Sequence, residues 1–177
     1  ITLSVAPVKT PRRVDFPEPS GNRSITARAC VARLSHDICR REIKLLQKRL
    51  GIADEDCVQE TGLSSHGCGN YVFLEVKFQD TALPACFAAV GMRGVPAEHV
   101  AAQAAKEVEG FLAGGAAVEQ RLADQILLPL ALLGGGSFTT PRPTEHTLTN
   151  IEVIRAFLNV PIRVEQQSKT VWHIEVG

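Results

Sequence analysis

At 177 residues the chain has room for one domain or two small ones. Its 45% hydrophobic content suits a globular protein with its own core, and its longest apolar run, Ile126 to Leu133, is too short for a bilayer and contains Pro129. Lys+Arg and Asp+Glu balance at 19 each, which argues against coating nucleic acid by bulk charge and leaves such contact to a local site or to charge from missing parts.

The chain opens on Ile1-Thr2-Leu3-Ser4-Val5, which alternates and reads like the middle of a strand reaching Val8, so a fragment of a longer protein is expected. There is no signal-peptide pattern. Pro7, Pro11, Pro17 and Pro19 punctuate a polar connection and a first boundary. A strand is expected from Ser24 to Leu34. A helix follows from about Ser35 to Gly51, with Cys39, Ile43, Leu46 and Leu50 on one face. Arg40, Arg41, Lys44 and Lys48 line another face; Glu42 interrupts them, which fits a solvated surface better than an RNA groove.

Strands are expected at Cys57–Gly62, Asn70–Phe78 and Leu83–Val90. Pro96 can open a helix whose apolar side is Val100, Ala104, Val108 and Phe111, and Gly114-Gly115 marks the second boundary. Another helix is expected from about Ala117 through Leu122, Ile126 and Leu130, kinked or not at Pro129 and stopped by Gly134-Gly135-Gly136. A strand at Ser137–Thr140, a turn through Pro141 and Pro143, a helix from about Thr149 to Leu158, and strands at Ile162–Glu165 and Thr170–Val176 complete the chain. Thr149 and Glu152 have the spacing of a capping box. Helices and strands mix without strict alternation, so the fold class is α+β. The five cysteines, Cys30, Cys39, Cys57, Cys68 and Cys86, are odd in number and form no close pair, which favours reduced thiols over disulfides or zinc. Cys57, His66 and Cys68 match no common metal spacing.

Chemistry concentrates near the end. Thr144-Glu145-His146-Thr147 joins a turn to a helix N-terminus, where free amides and the helix dipole attract phosphate. A histidine there can attack phosphorus through a ring nitrogen; taken alone, it also reads as a surface or capping residue. Arg121, Asp124 and Gln125 form a polar patch on a helix that is otherwise apolar, suited to a ribose hydroxyl, a base edge or a phosphate, or simply to solvent. Gly134-Gly135-Gly136-Ser137 lacks a following Lys-Ser or Lys-Thr, so it reads as a helix stop rather than a P-loop.

The order Leu122-Ala123-Asp124-Gln125, Leu128-Pro129, the glycine-rich turn, Ser137-Phe138-Thr139 and His146-Thr147-Leu148-Thr149-Asn150-Ile151 resembles the C-terminal signature of the RNA 3'-terminal phosphate cyclases. Ala101-Ala102-Gln103 with Lys106-Glu107-Val108, and Gly69-Asn70 before an alternating strand, extend the resemblance upstream. That family builds a large domain from three sheet-and-helix units, with a small α+β domain inserted before the third. The resemblance implies residues 1–16 closing the second unit, 17–115 as the inserted domain and 116–177 as the third unit.

It further implies ATP-dependent conversion of an RNA 3'-phosphate end to a 2',3'-cyclic phosphate, a ligase-type nucleotidyl transfer. His146 would be the catalytic residue that takes up AMP, and Arg121, Leu122, Ala123, Asp124 and Gln125 the nucleotide-binding stretch. Arg121 departs from the family pattern, which places an aromatic or histidine ring there; a guanidinium can still stack on adenine. A divalent metal, Mg or Mn, would be held by ligands outside this chain, whose own metal ligands are none. The implied partners are the RNA 3'-phosphate end and the missing N-terminal half, with no membrane, in the cytoplasm or, in a eukaryote, the nucleus. The segment alone is expected to be inactive. Two other readings stand beside this one: a non-catalytic relative serving as an RNA-binding or ribosome-assembly scaffold, and an ordinary α+β interaction module. A scaffold has no need of His146.

Overall fold

The computed structural model describes residue 10, residues 12–81 and residues 83–177, and the strand expected over residues 1–8 lies outside them. The chain divides into two compact units, one of residues Pro19–Gly114 and the other of residues up to Glu18 joined to Gly115–Gly177.

In the Pro19–Gly114 unit, alternation sets which face is buried. Strand β2 (Arg23–Ala32) lies at the centre of a four-stranded sheet, parallel to β3 (Cys57–Glu60) and antiparallel to β4 (Gly69–Phe78), which pairs in turn with β5 (Ala85–Val90). Ala27, Ala29 and Val31 on β2, Val72, Leu74 and Val76 on β4, and Phe87 and Ala89 on β5 are all buried. Helix α1 (Asp37–Leu50) buries Cys39, Ile43 and Leu46 at helical spacing, as the sequence predicts. Gly51 ends it in the left-handed region at φ 68. Helix α2 (Ala97–Gly114) buries Val100, Ala104, Val108 and Phe111, and the Phe111 ring lies 5.5 Å from that of Phe87.

The basic stripe on α1 is partly spent on ion pairs. Arg41 pairs with Glu98, Arg40 with Asp37, and the neighbouring Arg49 with Glu109. One polar residue is fully buried among the apolar ones. Glu42 accepts a hydrogen bond from Asn70 Nδ2 at 2.5 Å through Oε1, while its Oε2 has no partner. Burial pushes this carboxyl up to about 7. No disulfide joins the described cysteines, and burial holds the Cys39 thiol up at about 11.

The other unit carries a second four-stranded sheet, ordered β1 (Val14–Phe16), β6 (Gly136–Thr140), β8 (Trp172–Val176), β7 (Ile162–Gln166). The short β1 was not expected from the Pro-rich connection. It pairs parallel to β6, with Phe16 opposite Phe138 and the two rings edge to face at 6.4 Å. Gly136 allows the approach, because a Cβ there would lie 2.0 Å from the Val14 carbonyl oxygen. Helices α3 (Gln120–Leu133) and α4 (Glu145–Phe157) share one core with the sheet, centred on Leu127, Phe138, Ile151 and Ile174.

Both helix starts differ from expectation. Helix α3 begins at Gln120 rather than Ala117, because the Glu119 carboxylate caps it by accepting from the Arg121 and Leu122 amides at 2.7 and 2.5 Å. Helix α4 begins at Glu145, four residues before the expected start. Thr144 caps it, its Oγ1 accepting from the Thr147 amide at 3.1 Å. Pro143 favours the extended entry that this cap needs. Thr149 and Glu152 therefore lie inside the helix, where Glu152 pairs with Arg155 instead of closing a capping box. The three glycines after α3 act as a stop: Gly134 at φ 105 is the left-handed cap, and Gly135 at φ 87 leaves 2.4 Å between its missing Cβ and the Val176 carbonyl oxygen.

Candidate active site at the start of helix α4

The earlier start of α4 changes the setting of His146. The residue sits within the first turn, two positions after the Thr144 cap, rather than before the helix. Thr144 engages the Thr147 amide by its side chain and the Leu148 amide by its carbonyl at 3.0 Å. The positive end of the helix dipole is therefore at His146 itself. The loop leading into the cap is tied to α3, because Gln120 Nε2 donates to the Arg142 carbonyl at 2.5 Å.

His146 and Asp124 meet. The Nδ1 of His146 lies 3.0 Å from Asp124 Oδ2, with the histidine side chain 81% exposed and the aspartate only 19%. A carboxylate can only accept, so a hydrogen bond across this contact takes its proton from Nδ1. The ring is exposed, and the half-buried carboxylate beside it is placed to orient it. Asn150, one turn further along α4, holds Asp124 from the other side. Its Nδ2 donates to Asp124 Oδ1 at 3.0 Å and to the Asp124 carbonyl at 3.1 Å.

The rest of the predicted stretch divides by helix face. Arg121 and Gln125 are exposed on α3, flanking Asp124 in sequence. Ala123 is buried and Leu122 packs against the core, so their side chains seat the helix instead of reaching its surface. Pro129 has no N–H to give the Gln125 carbonyl, yet α3 runs on unbroken to Leu133. Sequence reasoning gave Asn150 no role. Its signal was there: with Thr144 as cap, His146 and Asn150 stand four apart on one helical face.

Among the described residues no three His, Cys, Asp or Glu side chains form a group that could hold a metal ion. His66 and Cys68 lie in the exposed connection between β3 and β4. None of the described helices is long and apolar enough to cross a membrane.

The family model for RNA 3'-terminal phosphate cyclase matches residues 26–164, a span that takes in α3, the glycine turn and the His146–Asp124–Asn150 group. The chain belongs to this family. The cyclase of Salmonella agona is 38% identical over 167 residues, 94% of this chain and 47% of that protein. The cyclase of Pseudomonas aeruginosa (strain UCBPP-PA14) is 38% identical over 157 residues, 89% of this chain and 45% of that protein. That of Salmonella enteritidis is 41% identical over 140 residues, 79% of this chain and 40% of that protein. The chain thus spans about half the length of the curated cyclases it matches.

Proposed function

We propose that this chain carries the nucleophile with which an RNA 3'-terminal phosphate cyclase activates ATP. The observation that carries the reading is the 3.0 Å contact between His146 Nδ1 and Asp124, which leaves Nε2 exposed at the positive end of α4. In the first step His146 Nε2 forms a bond to the α-phosphorus, the bond from that phosphorus to the bridging oxygen breaks, and pyrophosphate leaves. In the second the RNA 3'-phosphate displaces His146 and takes AMP. In the third the neighbouring 2'-hydroxyl closes on the RNA phosphate, loses its proton and expels AMP as the 2',3'-cycle forms.

This chain's residues contribute at identifiable points. Asp124 keeps the Nδ1 proton in place, so His146 attacks without losing a proton first, and it steadies the cationic ring while AMP is attached. The first-turn amides of α4 place positive potential beside the transferring phosphate. Exposed Arg121, one helical turn before Asp124, and exposed Gln125, next to it in sequence, are the side chains to meet the adenosine. A divalent metal would neutralise phosphate charge, with ligands outside this chain.

The two compact units support the mapping of residues 17–115 as an inserted domain and of residues 1–16 and 116–177 as parts of the large one. The relatives are about twice as long, which supports the reading that turnover uses residues beyond those of this segment.

The test is AMP transfer from α-labelled ATP to the intact polypeptide. Wild-type protein is expected to label, and His146→Ala and His146→Asn to lose the label entirely. A normal adduct in both variants would overturn the reading.

A further inference from the structure

We infer that Asn150 is a positioning residue for the nucleophile: through Asp124 it fixes the tautomer and aim of His146. The inference rests on the proposed role of His146 and goes one residue beyond it.

The geometry is specific. Both acceptors near the Asn150 amide, the Asp124 carboxylate oxygen at 3.0 Å and the Asp124 carbonyl at 3.1 Å, lack protons to give, so the group facing them must be the amide nitrogen. Its two hydrogens serve two different acceptors on one residue. One hydrogen anchors α4 to the backbone of α3, and the other claims Oδ1. With Oδ1 taken, Oδ2 is the oxygen left for His146, and it lies 3.0 Å from Nδ1.

The arrangement has a mechanical reason. His146 is exposed on a first helical turn, and an exposed imidazole rotates and exchanges tautomers freely unless a partner of fixed direction holds it. A carboxylate on a single bond is itself free to turn about χ2. Asn150 removes that freedom from Asp124, and His146 and Asn150, four residues apart, grip the carboxylate from one face of α4. Without the amide, Asp124 can swing to solvent and release Nδ1. The ring then spends part of its time with the proton on Nε2, where it cannot attack.

The experiment uses the intact cyclase polypeptide, ATP and divalent magnesium. Asn150→Ala and Asn150→Leu are compared with wild type; the second keeps about the side-chain volume and removes the donors, and serves alone should Asn150→Ala fail to fold. Two quantities are read: the single-turnover rate of AMP transfer to protein across ATP concentrations, and the nitrogen-15 imidazole signature that reports which nitrogen bears the proton. The expected result is a rate lower by about 10- to 100-fold, as for other residues that orient a histidine through a carboxylate. The ATP concentration for half-maximal rate should stay within about two-fold, since a positioning defect spares ground-state binding. Nδ1–H should cease to dominate. Wild-type rates in both variants, or slowed rates with the Nδ1–H signature intact, would overturn the inference. The adduct in His146→Ala separates the two ideas: its persistence defeats the nucleophile assignment, whereas its loss alongside normal Asn150 variants defeats this inference alone.

Discussion

At the scale of single residues, the site turns on direction more than on composition. The sequence suits Asp124 to a ribose hydroxyl or to solvent; in the fold its carboxylate lies 3.0 Å from the His146 ring. Replacing Asp124 with Ala in the intact protein is therefore expected to slow AMP transfer by about 100-fold or more, since an unheld imidazole spends time in the wrong tautomer. Single-turnover labelling measures this, and a loss confined to weaker ATP binding would return Asp124 to the ribose. His146 and Asp124 were both legible in the sequence, because the polar patch and the turn before a helix each stand out against apolar surroundings. That their side chains face one cleft is expected from the sequence too, but the direct contact between them is not. It depends on α4 starting at Glu145, and the capping-box spacing of Thr149 and Glu152 outweighed the plain Thr144 cap. A shift of four residues moves His146 from a loop into a first turn and brings Asn150 under it.

At the scale of elements, the four α-helices and, among the described residues, all strands but β1 are legible in the sequence, because burial on one face leaves a period, whereas the single 3-10 turn at Asp54–Asp56 leaves none. Strand β1 was hidden for a physical reason: three residues between prolines carry no period, and their partner β6 lies far along the chain. That pairing depends on Gly136. Gly136→Ala would press a Cβ against the Val14 carbonyl and is expected to cost about 1–3 kcal/mol. Hydrogen exchange at Val14 and Phe16 should rise in the variant, and unchanged protection there would count against the close approach.

Helix α1 offers a second element-level test. Folded Glu42 holds its proton up to pH about 7, whereas an unfolded glutamate releases it near 4.5. Between those values the folded chain binds a proton that the unfolded chain lacks. The contribution to stability is thus complete below about 4.5 and fades as pH rises through 7, by on the order of 2–3 kcal/mol. Glu42→Gln keeps an oxygen for Asn70 and removes this dependence. Urea melts should show the variant gaining on wild type between pH 5 and pH 8, and a constant difference across that range would show that Glu42 ionises freely in the fold.

At the scale of the whole molecule, prolines and paired glycines interrupt the hydrophobic patterns near residues 17–19 and 114–115, where the chain passes between its two compact units. The chain leaves and re-enters the unit with the active site along one strand. Phe16 lies opposite Phe138, and the Val118 amide donates to the Thr139 carbonyl at 2.9 Å. Replacing Pro19–Gly114 with a short Gly-Ser linker is therefore expected to preserve the β1-β6-β8-β7 sheet and the His146–Asp124 contact. Amide and imidazole NMR would show it, and collapse of the β6 and β8 signals would mean that the excised residues are needed for the sheet.

The same layout has a consequence in time. Asp15 and its partner Ser137 stand 122 residues apart, so a ribosome making about 5–20 residues per second finishes β1 on the order of 10 s before β6 exists. Everything in Pro19–Gly114 can fold during that interval, since its own strands and helices are already present. Strand β1 cannot. Its unpaired edge waits in the open, beside the exposed side chains of Arg12, Arg13 and Asp15, and charges of this kind discourage pairing with other chains. The candidate site, built on residues 119–150, is thus completed only after the Pro19–Gly114 unit has had its chance to fold.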